Sequence, residues 1–328
     1  METIVALGVF NETQKEEVRQ LAKGHEVVFV NSAASIKKDL LERMTIALGT
    51  LPVYLYKKAK NLKWLQTNSA GCDQYFNEDA FREDVIVTNA TGAYGMPISE
   101  YMLSCVLGVY KRLFDYKFQQ PTGAWKRIGD VRFVAYSTVV CLGTGDIGGS
   151  FARKMKALGA YTIGIKRTPA PTPDYFDELY TVDHLEEILP RADILALSLP
   201  GTPLTKYILN KKTLALLKKD VLIINVGRGN CINTEDLYQC LKENKHIKAC
   251  VDVLEKEPFD STHPIWQLPN IFITPHISGG NYDKETADLI YHVKYENLKR
   301  YLNGEKLYNV VDPLTGYKIS NSEEFVWH

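Results

Sequence analysis

Short β-prone runs alternate with amphipathic stretches along almost the whole chain, and that alternation constrains the fold more than any single motif. Strands separated by crossover helices pair in parallel, because each helix returns the chain to the same end of the sheet. The first runs are Ile4 to Phe10, a charged helix from Glu12 to Lys23, then Glu26 to Val30. Val53 to Tyr56, Trp64 to Thr67 and Val85 to Val87 read as further strands, and Gly92 to Pro97 as a linker. A second series follows: a helix from Ser99 to Phe118, strand Thr138 to Leu142, helix Ile147 to Leu158, and strands at Thr162 to Ile165 and Ile194 to Leu199. Strands Val221 to Asn225, Ala249 to Leu254 and Ile271 to Thr274 complete it, and a helix from Lys284 to Leu302 stops at Asn303-Gly304. The pattern predicts an α/β protein of two doubly wound parallel-sheet domains.

A length of 328 residues fits two domains, since single cores seldom exceed roughly 250 to 300 residues. The chain after Leu302 carries Tyr308, Tyr317, Phe325 and Trp327 and has apolar surface to bury, which places it back on the first unit. The expected division is therefore 1–97 with 292–328, and 98–291. Thirty-nine basic residues balance thirty-nine acidic ones, so no net field favours nucleic acid or an anionic membrane, and a small-molecule partner is expected. The run from Ile4 to Phe10 is too short for a signal peptide or a membrane span, and the six cysteines show no CxxC spacing. These features predict a cytoplasmic protein with reduced thiols, no disulfide and no metal.

Gly143-Thr144-Gly145-Asp146-Ile147-Gly148 fits GxGxxG between a strand and a helix. In that context the first glycine permits the tight turn, the second lets a phosphate approach the backbone, and the third packs helix on strand. The first unit's "GVFNETQKEEV" lacks such glycines, so one dinucleotide site per chain is expected. An acid about 20 residues further on would hold an NAD ribose, but the second strand ends in Lys166 and Arg167. Those cations suit a 2′-phosphate and predict NADP in preference to NAD. The residues alone also allow two solvated surface cations beside a cofactor held elsewhere.

In a parallel sheet the C-terminal strand ends share one rim, and ligands bind outside it. Arg228 follows the strand ending at Asn225, Glu257 the one ending at Leu254, and His276 the one ending at Thr274. Together they suit reduction of a ketone. The imidazole supplies a proton to the oxygen, the guanidinium holds a substrate carboxylate and polarises the carbonyl, and Glu257 orients the ring. Asp252, in the apolar run "ACVDVL", needs a partner for its burial, either a nicotinamide carboxamide or a structural hydrogen bond.

The segments "LGTGDIGGSFA", "INVGRGNCINTEDLYQCL", "CVDVLEKEP" and "ITPHISGG", with "NSAGCDQ" and "PISEYML", resemble the D-isomer-specific 2-hydroxyacid dehydrogenase family over nearly the whole chain. Arg228, Glu257 and His276 fall on that family's catalytic arginine, glutamate and histidine. The resemblance implies a Rossmann-like cofactor domain and a flavodoxin-like substrate domain built from both chain ends, with the active site in the cleft between them. It implies that backbone amides at Ser69, Ala70 and Gly71 bind the substrate carboxylate and that Asp252 meets the carboxamide. The expected cofactor contacts are Gly143, Thr144, Gly145, Asp146, Ile147, Gly148, Lys166, Arg167, Thr168, Leu199, Pro200, Val226, Gly227, Asp252, His276 and Gly279. A homodimer is implied, with Ser99 to Trp125 at its interface, and substrate-pocket residues are expected near Tyr54, Ser69, Tyr94 and Trp125. Lys166 makes the chain similar to NADPH-preferring glyoxylate and hydroxypyruvate reductases, and Glu257 separates it from formate-specific relatives, which carry glutamine there. Two alternatives stand beside this reading. One is a phosphoglycerate dehydrogenase, which the lack of a regulatory domain after residue 328 weakens, and the other is a dinucleotide-sensing corepressor of the same fold.

Overall fold

The computed structural model describes residues 1–77, 80–280, 283–313, 316–319 and 325. It divides into two units, Met1–Tyr94 with Asn281–His328, and Gly95–Gly280.

The first unit starts with β1 (Thr3–Leu7), α1 (Glu12–Leu21), β2 (Glu26–Val30), α2 (Lys38–Arg43) and β3 (Ile46–Leu48). It continues with α3 (Val53–Tyr56), β4 (Trp64–Gln66), α4 (Asp73–Asn77) and β5 (Ile86–Thr88). Its sheet is parallel in the order β2-β1-β3-β4-β5, the flavodoxin-like order. β1 is wholly buried and stops at Leu7, because Gly8 turns the chain at φ +116°.

Two expectations fail at the centre of this sheet. Val53–Tyr56, read as a strand, is a short helix, and the third strand is instead Ile46–Leu48. Pro52 opens the turn with φ −54°, and its carbonyl accepts from the amides of Leu55 and Tyr56 at 2.9 Å. Buried Val53, Leu55 and Tyr56 with exposed Tyr54 then follow a helical face, whatever the β propensity of the residues.

The second unit contains α5 (Gly95–Tyr110), α6 (Leu113–Gln119), β6 (Thr138–Leu142), α7 (Asp146–Ala157), β7 (Tyr161–Lys166) and β8 (Glu178–Thr181). There follow α8 (Leu185–Ile188), β9 (Ile194–Leu197), α9 (Lys211–Leu214), β10 (Leu222–Asn225), α10 (Thr234–Glu243), β11 (Lys248–Val251) and β12 (Ile271–Ile273). Seven parallel strands run β12-β11-β10-β9-β6-β7-β8, the Rossmann order with one strand added. The expected linker Gly92 to Pro97 belongs in part to α5, where Pro97 lies in the first turn and is tolerated. The predicted helix Ser99 to Phe118 is two helices, broken where Arg112 enters the left-handed region at φ +57°. β8 had no counterpart in the sequence reading, because its residues are only half-buried at the sheet edge.

α11 (Lys284–Leu302) belongs whole to the first unit, so the boundary falls before it and not at 291. It binds there through a buried polar network. Asn297 Nδ2 donates to Gln66 Oε1 at 2.7 Å, Gln66 Oε1 also accepts from Thr88 Oγ1 at 2.7 Å, and Trp64 Nε1 donates to Thr88 Oγ1 at 2.9 Å. Asn297 Oδ1 accepts the Tyr308 amide at 2.8 Å, which ties the following segment to the same network. The rings of Tyr308 and Phe325 meet edge to face, and Tyr317 donates to Asp73, so the tail returns to this unit; Trp327 lies outside the described residues. All six cysteines are free thiols, and no helix among the described residues is long and apolar enough to cross a membrane.

One residue of α11 works against this packing. Lys294 is 7% exposed, with its ammonium 5.0 Å from the centre of the Phe10 ring, and burial drives its pKa down to about 7. The unfolded chain, with an ordinary lysine, binds more protons than the folded one between that value and about 10.4. Stability conferred on the folded state therefore rises with pH through this window, and the penalty is fully present below it. Lys294→Met is expected to raise the thermal midpoint at pH 6.5, with a gain that shrinks by about pH 9.5 as the wild-type amine becomes neutral. An equal gain at both pH values would show that charge burial is not the cause.

Candidate active site

β6 is buried from Val139 to Leu142 and delivers Gly143 to the point where strand order reverses, between β7 and β9. Gly143 has φ +95°, and its amide donates to Ile165 O at 3.0 Å. A Cβ at Gly148 would fall 2.0 Å from Gly143 O, so only glycine lets α7 sit down on the turn. At Gly145 a Cβ would meet nothing within 4 Å, which leaves space in front of the N-terminus of a 12-residue helix. That open backbone and helix dipole fit a dinucleotide pyrophosphate. Thr144 packs its methyl against Gly164, where a Cβ would come within 2.8 Å of it. The Asp146 carboxylate faces the start of α5 and accepts the Gly95 amide at 2.9 Å. Ile147 is half-buried in the same first turn. Lys166 is the last residue of β7 and half-buried, while Arg167 and Thr168 follow it exposed.

Strand register fixes the heights of the other groups. Asn225, Val251 and Ile273 are partners across β10, β11 and β12. Arg228 and His276 each stand three residues past that line, on strands roughly 10 Å apart because one strand lies between them. The Arg228 turn is wedged between its neighbours by two glycines. A Cβ at Gly227 would lie 2.5 Å from Leu199 O, and one at Gly229 would lie 1.9 Å from the carbonyl carbon of Leu254. Asn225, 1% exposed, clamps the turn from below, accepting from the Gly227 amide and donating to Arg228 O, both at 3.1 Å. One guanidinium nitrogen of Arg228 donates to Gly227 O at 2.9 Å. Val226 is buried beneath, and Pro200 O, next to Leu199, accepts the Thr205 hydroxyl at 2.5 Å.

His276 and Glu257 are in direct contact, with Nδ1 to Oε2 at 2.7 Å. A carboxylate only accepts, so Nδ1 carries the hydrogen and Nε2 is the ring atom left to exchange a proton with a ligand. Glu257 Oε1 is steadied by the Leu254 amide at 3.3 Å. The backbone of His276 is in the left-handed region at φ +54°, a conformation that costs roughly 1 to 3 kcal/mol and must be held.

The restraint is Asp252. Its carbonyl accepts the His276 amide at 2.8 Å. Its carboxylate, 1% exposed, accepts the Thr274 hydroxyl at 2.5 Å and the amides of Ile277 and Ser278 at 2.9 Å each. The partner that its burial required is thus the chain itself, and Gly279 follows directly on the loop so fixed. Sequence reasoning missed Asn225, which closes its own turn onto Gly227 and Arg228, and Thr274, whose role depends on contacts across strands. It also missed Glu255, which accepts the Tyr207 hydroxyl at 2.6 Å and the first amide of α10 at 2.7 Å beside Gly229.

In the first unit, taken by itself, Ser69, Ala70 and Gly71 follow β4. Ser69 Oγ donates to Gly71 O at 2.6 Å, Ala90 N to Ser69 O at 3.0 Å, and Asn89 Nδ2 to Ala70 O at 2.7 Å, so the carbonyls of this loop are tied down. Tyr94 is buried with its hydroxyl on Asn68 O, which makes it a support of that loop, while Tyr54 is exposed on α3. Trp125, in the second unit, is fully exposed.

The model of the D-isomer-specific 2-hydroxyacid dehydrogenase NAD-binding domain matches residues 103–278. Glyoxylate reductase of Thermococcus kodakarensis is 28% identical over 279 residues, 82% of each chain. The crystal structure of a D-isomer-specific 2-hydroxyacid dehydrogenase family protein from Aeromonas salmonicida is similar with a TM-score of 0.83 at 27% identity, covering 95% of this chain and 99% of that one. A D-isomer-specific 2-hydroxyacid dehydrogenase from Xanthobacter autotrophicus Py2, solved in complex with NADPH and MES, gives 0.81 at 25% identity, covering 97% of this chain and all of that one.

Proposed function

The chain belongs to the D-isomer-specific 2-hydroxyacid dehydrogenase family, and on that premise we propose that it reduces the carbonyl of a small 2-keto acid to a D-2-hydroxy acid with NADPH. The observation that carries this reading is the 2.7 Å pair of His276 and Glu257, on the sheet edge that also bears Arg228 and the glycine loop. The backbone from Gly143 to Gly148 would hold the pyrophosphate of the cofactor. Bound there, a reduced nicotinamide supplies the two electrons and the hydrogen that the carbonyl carbon gains. Arg228 binds the substrate carboxylate in a fork and polarises the carbonyl. His276 gives its Nε2 proton to the carbonyl oxygen as charge develops there, while Glu257 keeps Nδ1–H in place and stabilises the ring. In the oxidative direction neutral His276 takes that proton back.

NADP preference is supported by Lys166 and Arg167 at the end of β7 and by the NADPH held in the Xanthobacter relative. A glyoxylate or hydroxypyruvate type of substrate is supported by the glyoxylate reductase similarity. A homodimer through α5, α6 and the segment to Trp125 is supported by the exposed Leu113, Phe118 and Trp125 side chains.

NADPH consumption with a panel of 2-keto acids tests the activity. His276→Ala should lower kcat by about 10²- to 10⁴-fold with NADPH affinity nearly unchanged; wild-type turnover in that variant removes His276 as proton donor. Replacing Lys166 and Arg167 together by serine should raise KM for NADPH by about 10- to 100-fold, with little change for NADH. Equal effects on both cofactors would assign the two cations a general structural role. Sedimentation velocity should find a particle of two chains, and a monomer at micromolar concentration would remove the interface.

A further inference from the structure

Behind the His276 loop lies a line of hydroxyl groups that the mechanism above does not use. The Asp252 carboxylate accepts, so Thr274 Oγ1 must donate its hydrogen to Oδ1 at 2.5 Å. Thr274 Oγ1 is then an acceptor for its other neighbour, and Tyr101 Oη donates to it at 2.6 Å. Burial raises the pKa of the Tyr101 hydroxyl above its ordinary value, which keeps it a donor. The order of donation therefore runs one way, from Tyr101 through Thr274 to Asp252, whose carboxylate also accepts from the amides of Ile277 and Ser278 on the far side of His276.

Tyr101 lies on α5, whose first amide, at Gly95, is held by Asp146 of the glycine loop. Six residues separate the two anchors, about 9 Å along a helix. One rigid element thus touches both the turn that would bind the pyrophosphate and the clamp that holds His276.

We propose that Tyr101, acting through Thr274 and Asp252, is a positioning residue for His276, keeping the imidazole-bearing loop in the left-handed backbone conformation from which the ring reaches Glu257. Without the phenol, the Thr274 hydroxyl loses the donor that orients it, and its hydrogen is free to leave the carboxylate. Asp252 then holds the loop with two amides where it had three donors. The proposal rests on His276 being the proton donor.

Three variants decide it: Tyr101→Phe, Thr274→Val and Thr274→Ser. Tyr101→Phe removes one neutral hydrogen bond and should lower kcat by about 3- to 10-fold. Thr274→Val leaves a buried carboxylate lone pair unmet and should lower it by about 10- to 100-fold, while Thr274→Ser should restore wild-type turnover to within about 2-fold. NADPH affinity, followed by fluorescence titration, should stay within about 2-fold of wild type throughout. Amide hydrogen exchange at Ile277 and Ser278 should quicken in Tyr101→Phe and in Thr274→Val, and not in Thr274→Ser. Unchanged exchange and turnover in Tyr101→Phe and Thr274→Val would overturn the proposal. So would a loss of turnover matched by an equal loss of NADPH affinity, because that pattern marks general damage to the unit. If the wild-type protein consumes no NADPH with any keto acid, the parent reading fails, and exchange at the two amides still decides whether Tyr101 holds the loop.

Discussion

The site depends on backbone packed against backbone where the Arg228 turn passes between its neighbours. Strands in a parallel sheet stand about 4.8 Å apart, which leaves little room for turns at their ends to cross one another. Gly227 and Gly229 remove the Cβ atoms that would strike Leu199 and Leu254, and the turn then fits between them. The register from Asn225 through Val251 to Ile273 carries that placement across to His276. Arg228 and His276 follow a common line of the sheet by the same number of residues, and the glycine contacts fix the turn that carries Arg228.

Buried polar side chains do the rest of the holding, and each is satisfied by the backbone it restrains. Asn225 ties its own turn, and Asp252 ties the segment from Thr274 to Ser278. Each would be costly if left unpaired, so each specifies one loop conformation. In the first unit the network of Trp64, Thr88, Gln66 and Asn297 acts in the same way, fastening α11 and the chain after it.

Much of this was legible from residue order alone, because doubly wound sheets put strand ends on one edge and the strands at Thr138, Val221 and Ile271 are marked by apolar runs. Arg228, Glu257 and His276 could be picked out as polar groups just past such runs, and Glu257 and His276 do meet. What escaped depends on contacts between segments far apart in sequence. The helix at Val53–Tyr56 looks like a strand because its β-prone residues hide a helical face that only the burial of Val53, Leu55 and Tyr56 in the packed unit reveals. The start of α5 looks like a linker because its helix begins at Gly95, and Asp146, which accepts the amide there, lies 51 residues away. Thr274 and Tyr101 carry no local sign of their partnership, being 173 residues apart.

The two key loops are also held by different physics. The Arg228 turn is kept by the absence of two side chains, a steric fit that neither pH nor salt alters. The His276 loop is kept by a carboxylate whose grip depends on its charge and on a hydroxyl turned the right way, and charge-assisted hydrogen bonds are roughly twice as strong as neutral ones. Substrate binding calls for a guanidinium that stays where it is, and proton transfer calls for an imidazole whose tautomer is fixed while its outer nitrogen stays accessible. In the proposed reaction the rigid steric device therefore serves Arg228, which binds the carboxylate, and the electrostatic one serves His276, which passes on the proton.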